Sequence, residues 1–247
     1  MLIVNADDLG RNTATTDAIL SCYEKKRISS TSAMVFMADS ERAAGLALSA
    51  GIDIGLHINF SESFSAQDIP PQLRDGHDKI IHFLKTSKYA LLLYHPLLPG
   101  KFPSVFEAQQ NEFLRLYGRQ PSHYDGHQHM HLSSNMLIQQ LLPNGSKVRR
   151  SFSFRQGEKS FINRFYRTII DRSLTRRHVL TDYFFSLAHH LTLDRLERVM
   201  MLANEANVEL MVHPHVSKEY DFLMGDGYGE ALSHVSLEGF DSLESKQ

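Results

Sequence analysis

Leu2-Ile-Val-Asn-Ala-Asp-Asp-Leu-Gly10 decides the fold class. Its apolar start is unbroken, as in a parallel strand covered on both faces, and it gives way at once to two carboxylates and a glycine that permits a turn. Residues 13–26 then place Ala18, Ile19, Cys22 and Tyr23 at helical spacing. Residues 30–36 predict a second strand, 39–48 a second helix, and Ile52-Asp-Ile-Gly-Leu-His-Ile58 a third strand. This β-α-β-α-β alternation implies a parallel sheet with helical crossovers, an α/β class. Further along, 104–117, 134–142 and 193–206 predict helices, and 179–187 and 208–212 predict strands. Between them the pattern dissolves over about 61–103, where Pro70, Pro71, Gly76, Pro96, Pro99 and Gly100 punctuate the chain and only 79–93 reads as helical. So long an irregular stretch inside one domain of residues 1–247 is expected to be a lid or insertion.

The 247 residues fit one large domain. Hydrophobic and charged contents of 42% and 22% are ordinary globular values, and a net charge of −2 argues against non-specific nucleic-acid binding by the whole molecule. Cys22 is the sole cysteine, so an internal disulfide and a CxxC zinc site are both excluded, and it is expected to pack as a small apolar residue. Met1-Leu-Ile-Val4 does not read as the basic n-region and long apolar core of a signal peptide, and the longest apolar run, Tyr89-Ala-Leu-Leu-Leu-Tyr94, is too short to span a bilayer. The expectation is a soluble cytoplasmic protein with no membrane or nucleic-acid partner. Residues 147–177 carry ten Lys and Arg against Glu158 and Asp171, which reads as a solvated face or as a contact surface for an anion or another subunit.

Histidine is the one compositional excess. Six of the 14 lie in two segments, Pro121-Ser-His-Tyr-Asp-Gly-His-Gln-His-Met-His131 and Met211-Val-His-Pro-His215. Imidazole is the commonest protein ligand for divalent transition metals. Asp7, Asp8 and His57 fall at strand ends, the edge where parallel α/β folds bind ligands. Neighbouring residues on a strand point to opposite faces, so Asp7 and Asp8 reach one site only if the strand has turned, which Gly10 allows; either could instead cap the following helix. In the central cluster an extended chain puts His123, Asp125, His127, His129 and His131 on one face, whereas a helix starting near His127 pairs His127 with His131. Pro214 restricts His213 to an extended conformation. Together these features point to a metal-dependent hydrolase.

Ile3-Val-Asn-Ala-Asp-Asp-Leu-Gly10, Ile54-Gly-Leu-His57, Gly118-Arg-Gln-Pro-Ser-His-Tyr-Asp-Gly-His-Gln-His-Met-His131 and Met211-Val-His-Pro214 resemble, in order and separation, the signatures of the YdjC-like carbohydrate deacetylases, a family that includes chito-oligosaccharide deacetylases. The resemblance implies an irregular (β/α) barrel with one divalent ion, magnesium or zinc, at the strand ends. It implies Asp8, His57 and His127 as metal ligands, Asp7 as general base, His213 as general acid, and Arg149 as a basic residue holding the site's carboxylates. A homodimer is also implied. Leu9, where phenylalanine is usual, and Gly126 and Gln128 depart from the pattern.

The expected activity is removal of an N-acetyl group, with release of acetate, from a small acetylated amino sugar, a mono- or disaccharide of the chitobiose type. Arg149, Phe60, Asp125 and His131 are the candidates for substrate contact, with Phe64 and Phe83 offering further apolar faces and Arg150 or Arg155 a pairing partner for an anionic group. The alternatives are a metal-dependent phosphoesterase and a non-catalytic sugar-binding protein.

Overall fold

The computed structural model describes residues 1–247 apart from 88, 96, 99, 155–159 and 245–247. Six strands, β1 (Leu2–Leu9), β2 (Ser30–Ala33), β3 (Asp53–Ile58), β4 (Tyr124–Gly126), β5 (Tyr183–Ser186) and β6 (Val208–Val212), form a sheet in the order β4-β3-β2-β1-β6-β5. Pairing is parallel, with Leu2 opposite Val208 and Ala6 opposite Val212 between β1 and β6, and His57 opposite Asp125 between β3 and β4. All eight residues of β1 and all five of β6 are buried. That is why the first half of β1 and, apart from Glu209, the whole of β6 read as apolar runs rather than alternating ones. Helices separate the strands, so the α/β alternation expected of an irregular (β/α) barrel is present.

Helix α1 (Thr13–Glu24) and α2 (Ser40–Ala50) close the first two crossovers. Helix α2 stops at Gly51, whose φ of 72° lets its N–H reach the carbonyls of Ala47 and Leu48, a turn that suits glycine. In α1, Cys22 is fully buried, and burial pushes its thiol up to about 12. Helices α3 (Pro71–Lys85), α4 (Lys101–Tyr117), α5 (Ser134–Ile138), α6 (Phe161–Leu174), α7 (Leu193–Glu205), α8 (Ser217–Met224) and α9 (Asp226–Leu232) complete the order. Among the described residues no helix is long and apolar enough to cross a membrane.

The residues cluster into two compact units that share β1 and β2 along the chain. One comprises Met1–Asp7, Asp17–Thr31 and Asn144–Gln247; the other comprises Asp8–Thr16 and Ser32–Pro143. In the first, Ile3, Phe240 and Leu243 pack together with Met1 and Val179. In the second, α3 lies on α4, and a Cβ at Gly76 would meet Val105 Cγ2 at 3.6 Å.

The stretch expected to be irregular contains α3, which starts and ends earlier than the helix predicted over 79–93. Pro71 occupies the first turn, where proline's fixed φ and missing N–H suit a helix start instead of breaking it. Gly76, His77, Ile80, Ile81 and Leu84 supply the buried face.

His77 is almost fully enclosed. Its ring stacks on Phe64, with centroids 3.6 Å apart, and its Nε2 lies 2.9 Å from the Asn59 carbonyl oxygen. Burial lowers its pKa from 6.5 to about 4, outweighing the opposing hydrogen bond to Asn59 and the pull of Asp78. Between those two values the unfolded chain binds a proton that the folded chain excludes, so stability falls as pH drops from 6.5 towards 4. The full loss is about 3 kcal/mol. Thermal melts across that window should flatten in His77→Gln relative to the parent; parallel curves would exclude His77 as the group responsible.

Candidate functional site

The first aspartate pair is split by a backbone turn at its second member. Asp8 has φ of 77°, a left-handed conformation rare outside glycine. The turn expected at Gly10, whose φ is 84°, therefore begins two residues earlier. The two carboxylates are held by different hydrogen bonds.

Asp8 faces imidazoles. Its Oδ1 lies 3.2 Å from His57 Nε2 and 3.0 Å from His127 Nδ1. One ligand atom from each of Asp8, His57 and His127 fits within 4.8 Å of the others. Burial by itself would raise the Asp8 pKa, but hydrogen bonds from His127 and His57 outweigh it and hold the carboxyl well below the usual range. A buried carboxylate with two converging imidazoles is a donor set that suits a divalent ion of the zinc kind. The three residues therefore fit the metal expected of them.

His57 is oriented from behind. Its Nδ1 lies 2.8 Å from Asp125 Oδ1, which leaves Nε2 turned to Asp8. Ser32 Oγ donates to Asp125 Oδ2 at 2.7 Å and lies 3.0 Å from His123 Nε2, and Ser122 Oγ lies 3.0 Å from His123 Nδ1. Carboxylate support of this kind sets the tautomer and angle of a ligating histidine. The sheet makes room for it at Gly55, where an added Cβ would sit 2.3 Å from the His123 ring. Gly55→Ala is accordingly expected to destabilise the fold by about 1–3 kcal/mol or more and to weaken metal binding as His123 shifts. A denaturant titration checks the first effect, and an unchanged midpoint would show that His123 can move freely.

The histidine-rich segment follows neither the extended nor the helical expectation beyond β4. His123 and Asp125 share a face, as alternation requires, and both contact Ser32. From His127 to Leu132 the backbone coils as a 3-10 segment in which Gln128 and His129 have φ of 52° and 59°. His131 consequently folds back over Gly126, where a Cβ would meet its backbone nitrogen at 2.8 Å, and no helical pairing of His127 with His131 forms.

Asp7 faces a guanidinium. Arg149 donates from Nη1 to Asp7 Oδ2 and from Nη2 to Asp7 Oδ1, each at 2.7 Å, and from Nε to Glu209 Oε1 at 2.6 Å. Asn5 Nδ2 donates to Asp7 Oδ1 at 2.9 Å. The bidentate fork fixes the carboxylate plane. His213 sits just beyond β6, its backbone N–H donating to Glu219 Oε2 at 2.8 Å and its Nδ1 lying 3.5 Å from Glu219 Oε1.

The residues expected to touch substrate are placed differently. Arg149, Phe60, Asp125 and His131 each show 0% exposure, so none of them presents a surface to solvent. Arg149 and Asp125 hold other site residues, and Phe60 packs edge-on against Phe102. Phe64 is buried under His77, while Phe83 borders a recess with His82 and His95. Arg150 is engaged by Asp171 at 2.7 Å, and Arg155 lies outside the described residues. Glu209, Glu219, Glu62 and Ser32 were not anticipated. Glu209 carried a signal, because an acid inside the apolar run of β6 has to be paired to be tolerated.

Among known proteins, the family model for YdjC-like proteins matches residues 1–239. The chain belongs to the YdjC-like protein family. A chitooligosaccharide deacetylase of Enterobacter sp. is 26% identical over 87% of this chain and 81% of its own length. A carbohydrate deacetylase of Danio rerio is 32% identical over 53% of this chain, a match that spans 42% of the zebrafish protein. Among solved structures, an Enterococcus faecalis protein described as a cellobiose-phosphate cleavage protein superposes with a TM-score of 0.67 over 98% of this chain and 97% of its own. At 16% identity that likeness shows a shared fold for this YdjC-like chain.

Proposed function

We propose that this protein is a divalent-metal-dependent hydrolase that removes the N-acetyl group from a small acetylated amino sugar, a mono- or disaccharide of the chitobiose type, and releases acetate. The observation that carries this reading is the group of buried Asp8 and His57 with His127 at their edge, its ligand atoms within 4.8 Å of one another. The names of the Enterobacter and zebrafish relatives supply the substrate class. When bound, an ion held by these three residues supplies Lewis acidity towards the acyl oxygen and towards a water molecule. Two imidazoles among the three donors favour zinc over magnesium, which prefers oxygen ligands.

The chain's own groups move the protons. In this reading Asp7 accepts a proton from the attacking water while Arg149 and Asn5 keep its carboxylate oriented. The water oxygen bonds to the acetyl carbon, the C–N bond breaks, and the departing amine nitrogen takes a proton from His213. Glu219 steadies His213 for that transfer through its backbone N–H. The free amino sugar and acetate are the products.

Acetate release from N-acetylglucosamine, its 6-phosphate, diacetylchitobiose and polymeric chitin tests the proposal. Turnover of the mono- or disaccharide, abolished by a chelator and restored by a divalent ion, is the expected result. Fastest turnover on the polymer would rule out the small-substrate reading. Absence of acetate from every substrate, with the ion bound, would sink the deacetylase reading itself.

A further inference from the structure

The two ligating imidazoles have unequal support. His57 leans on Asp125, which is wholly enclosed, whereas His127 faces Glu62, whose side chain is 30% exposed. Glu62 Oε2 lies 3.3 Å from His127 Nε2, on the side of the ring opposite the nitrogen that faces Asp8. Glu62 is in turn held by Arg11, whose Nε donates to Oε1 at 3.0 Å and whose Nη2 lies 2.9 Å from Oε2. Arg11 is also 3.7 Å from Asp8 Oδ2.

The backbone that presents Glu62 is built as carefully as its side chain. Asn59, fully buried, accepts the Glu62 N–H on its Oδ1 at 2.9 Å and donates from Nδ2 to the Glu62 carbonyl at 2.6 Å. Gln109 Oε1 accepts the Asn59 N–H at 2.7 Å, which ties this turn to helix α4. Glu62 is therefore a carboxylate delivered to one place, unlike an ordinary surface acid.

A neutral imidazole carries one proton on one nitrogen. His127 Nδ1 is the nitrogen turned to Asp8, so it must be bare if it is to bind an ion. The remaining proton then sits on Nε2, where Glu62 can accept it. We infer that Glu62, pinned by Arg11, is a positioning residue that holds His127 in the ligating tautomer and sets how tightly the protein retains its divalent ion. The inference rests on the metal-site reading above, and it assigns a role to two residues outside the ligand set. Glu62 and Arg11 are partly exposed, and Asp8 keeps His57 and His127 beside it when Arg11 is replaced, so the fold tolerates either change.

Cobalt(II) is a suitable probe, because its visible absorption reports ligand geometry directly and needs no substrate. When cobalt is titrated into the metal-free protein, Glu62→Ala should bind about 10–100-fold more weakly than the parent and show an altered band shape. Glu62→Gln, which keeps an acceptor oxygen, should recover most of that affinity. Arg11→Met should fall between them, and all three should melt within about 2 °C of the parent in metal-free form. Parent-like affinity and spectrum in Glu62→Ala would overturn the positioning role while leaving the metal site standing. Equal weakening in Glu62→Gln and Glu62→Ala would also overturn it, because charge alone would then be responsible. Failure of the parent itself to bind cobalt would overturn this inference together with the metal-site reading.

Discussion

His127→Ala should leave the purified protein without its divalent ion after dialysis, with affinity reduced by more than about 100-fold. Loss of an outer partner of a metal ligand already costs 10–100-fold, and here an entire ligand is removed from a set of three. His127 suits this test because its side chain is at the edge of the group, 12% exposed, whereas His57 is enclosed and bonded to Asp125. Truncating His127 therefore creates no large internal cavity, and Asp8 keeps His57 at 3.2 Å. The expected pattern is lost metal and lost turnover with a melting temperature close to that of the metal-free parent. The metal-to-protein ratio by elemental analysis decides the matter; a ratio unchanged from the parent would remove His127 from the ligand set.

The second large effect concerns stability. Arg149 is completely buried and serves two carboxylates, Asp7 and Glu209, while its guanidinium lies 5.0 Å from the centre of the Phe184 ring. Arg149→Met preserves much of the volume but strands two acids away from water. Removing one partner of a buried ion pair costs about 3–5 kcal/mol. For a chain of this size each kcal/mol lowers the melting temperature by about 2–4 °C, so a drop on the order of 10 °C is expected. Arg149→Lys should recover little of it, because an ammonium cannot reproduce the two parallel bonds to Asp7. Adding Glu209→Gln to Arg149→Met should restore part of the loss, since one of the stranded charges is then gone. Additive losses in that double variant would show that Arg149 and Glu209 are not energetically coupled.

Much of this was legible in the chain before any coordinate. Leu2-Ile-Val4 of β1 and the apolar residues around Glu209 in β6 announce buried strands, and the histidine-rich segment announces itself because such a density of imidazole has few structural uses. The same local logic failed at α3, where prolines and a glycine read as breakers while one proline was starting a helix. It failed again after Gly126, where the sequence allowed an extended run or a helix and the chain took two left-handed residues instead.

Sequence by itself determined the parallel α/β class and the residue types at its strand ends, since both depend on local periodicity and composition. Only the tertiary structure decided what each of those residues does. Asp8 has a φ of 77° and faces His57 and His127, while Asp7 is gripped by Arg149, partners that no spacing rule predicts. Asp125 turns out to steady His57 across 68 positions of chain, and Arg149 reaches Asp7 across 142. Contacts at such separations arise from how strands lie side by side, so the partners of a charged residue stay hidden until the sheet has assembled.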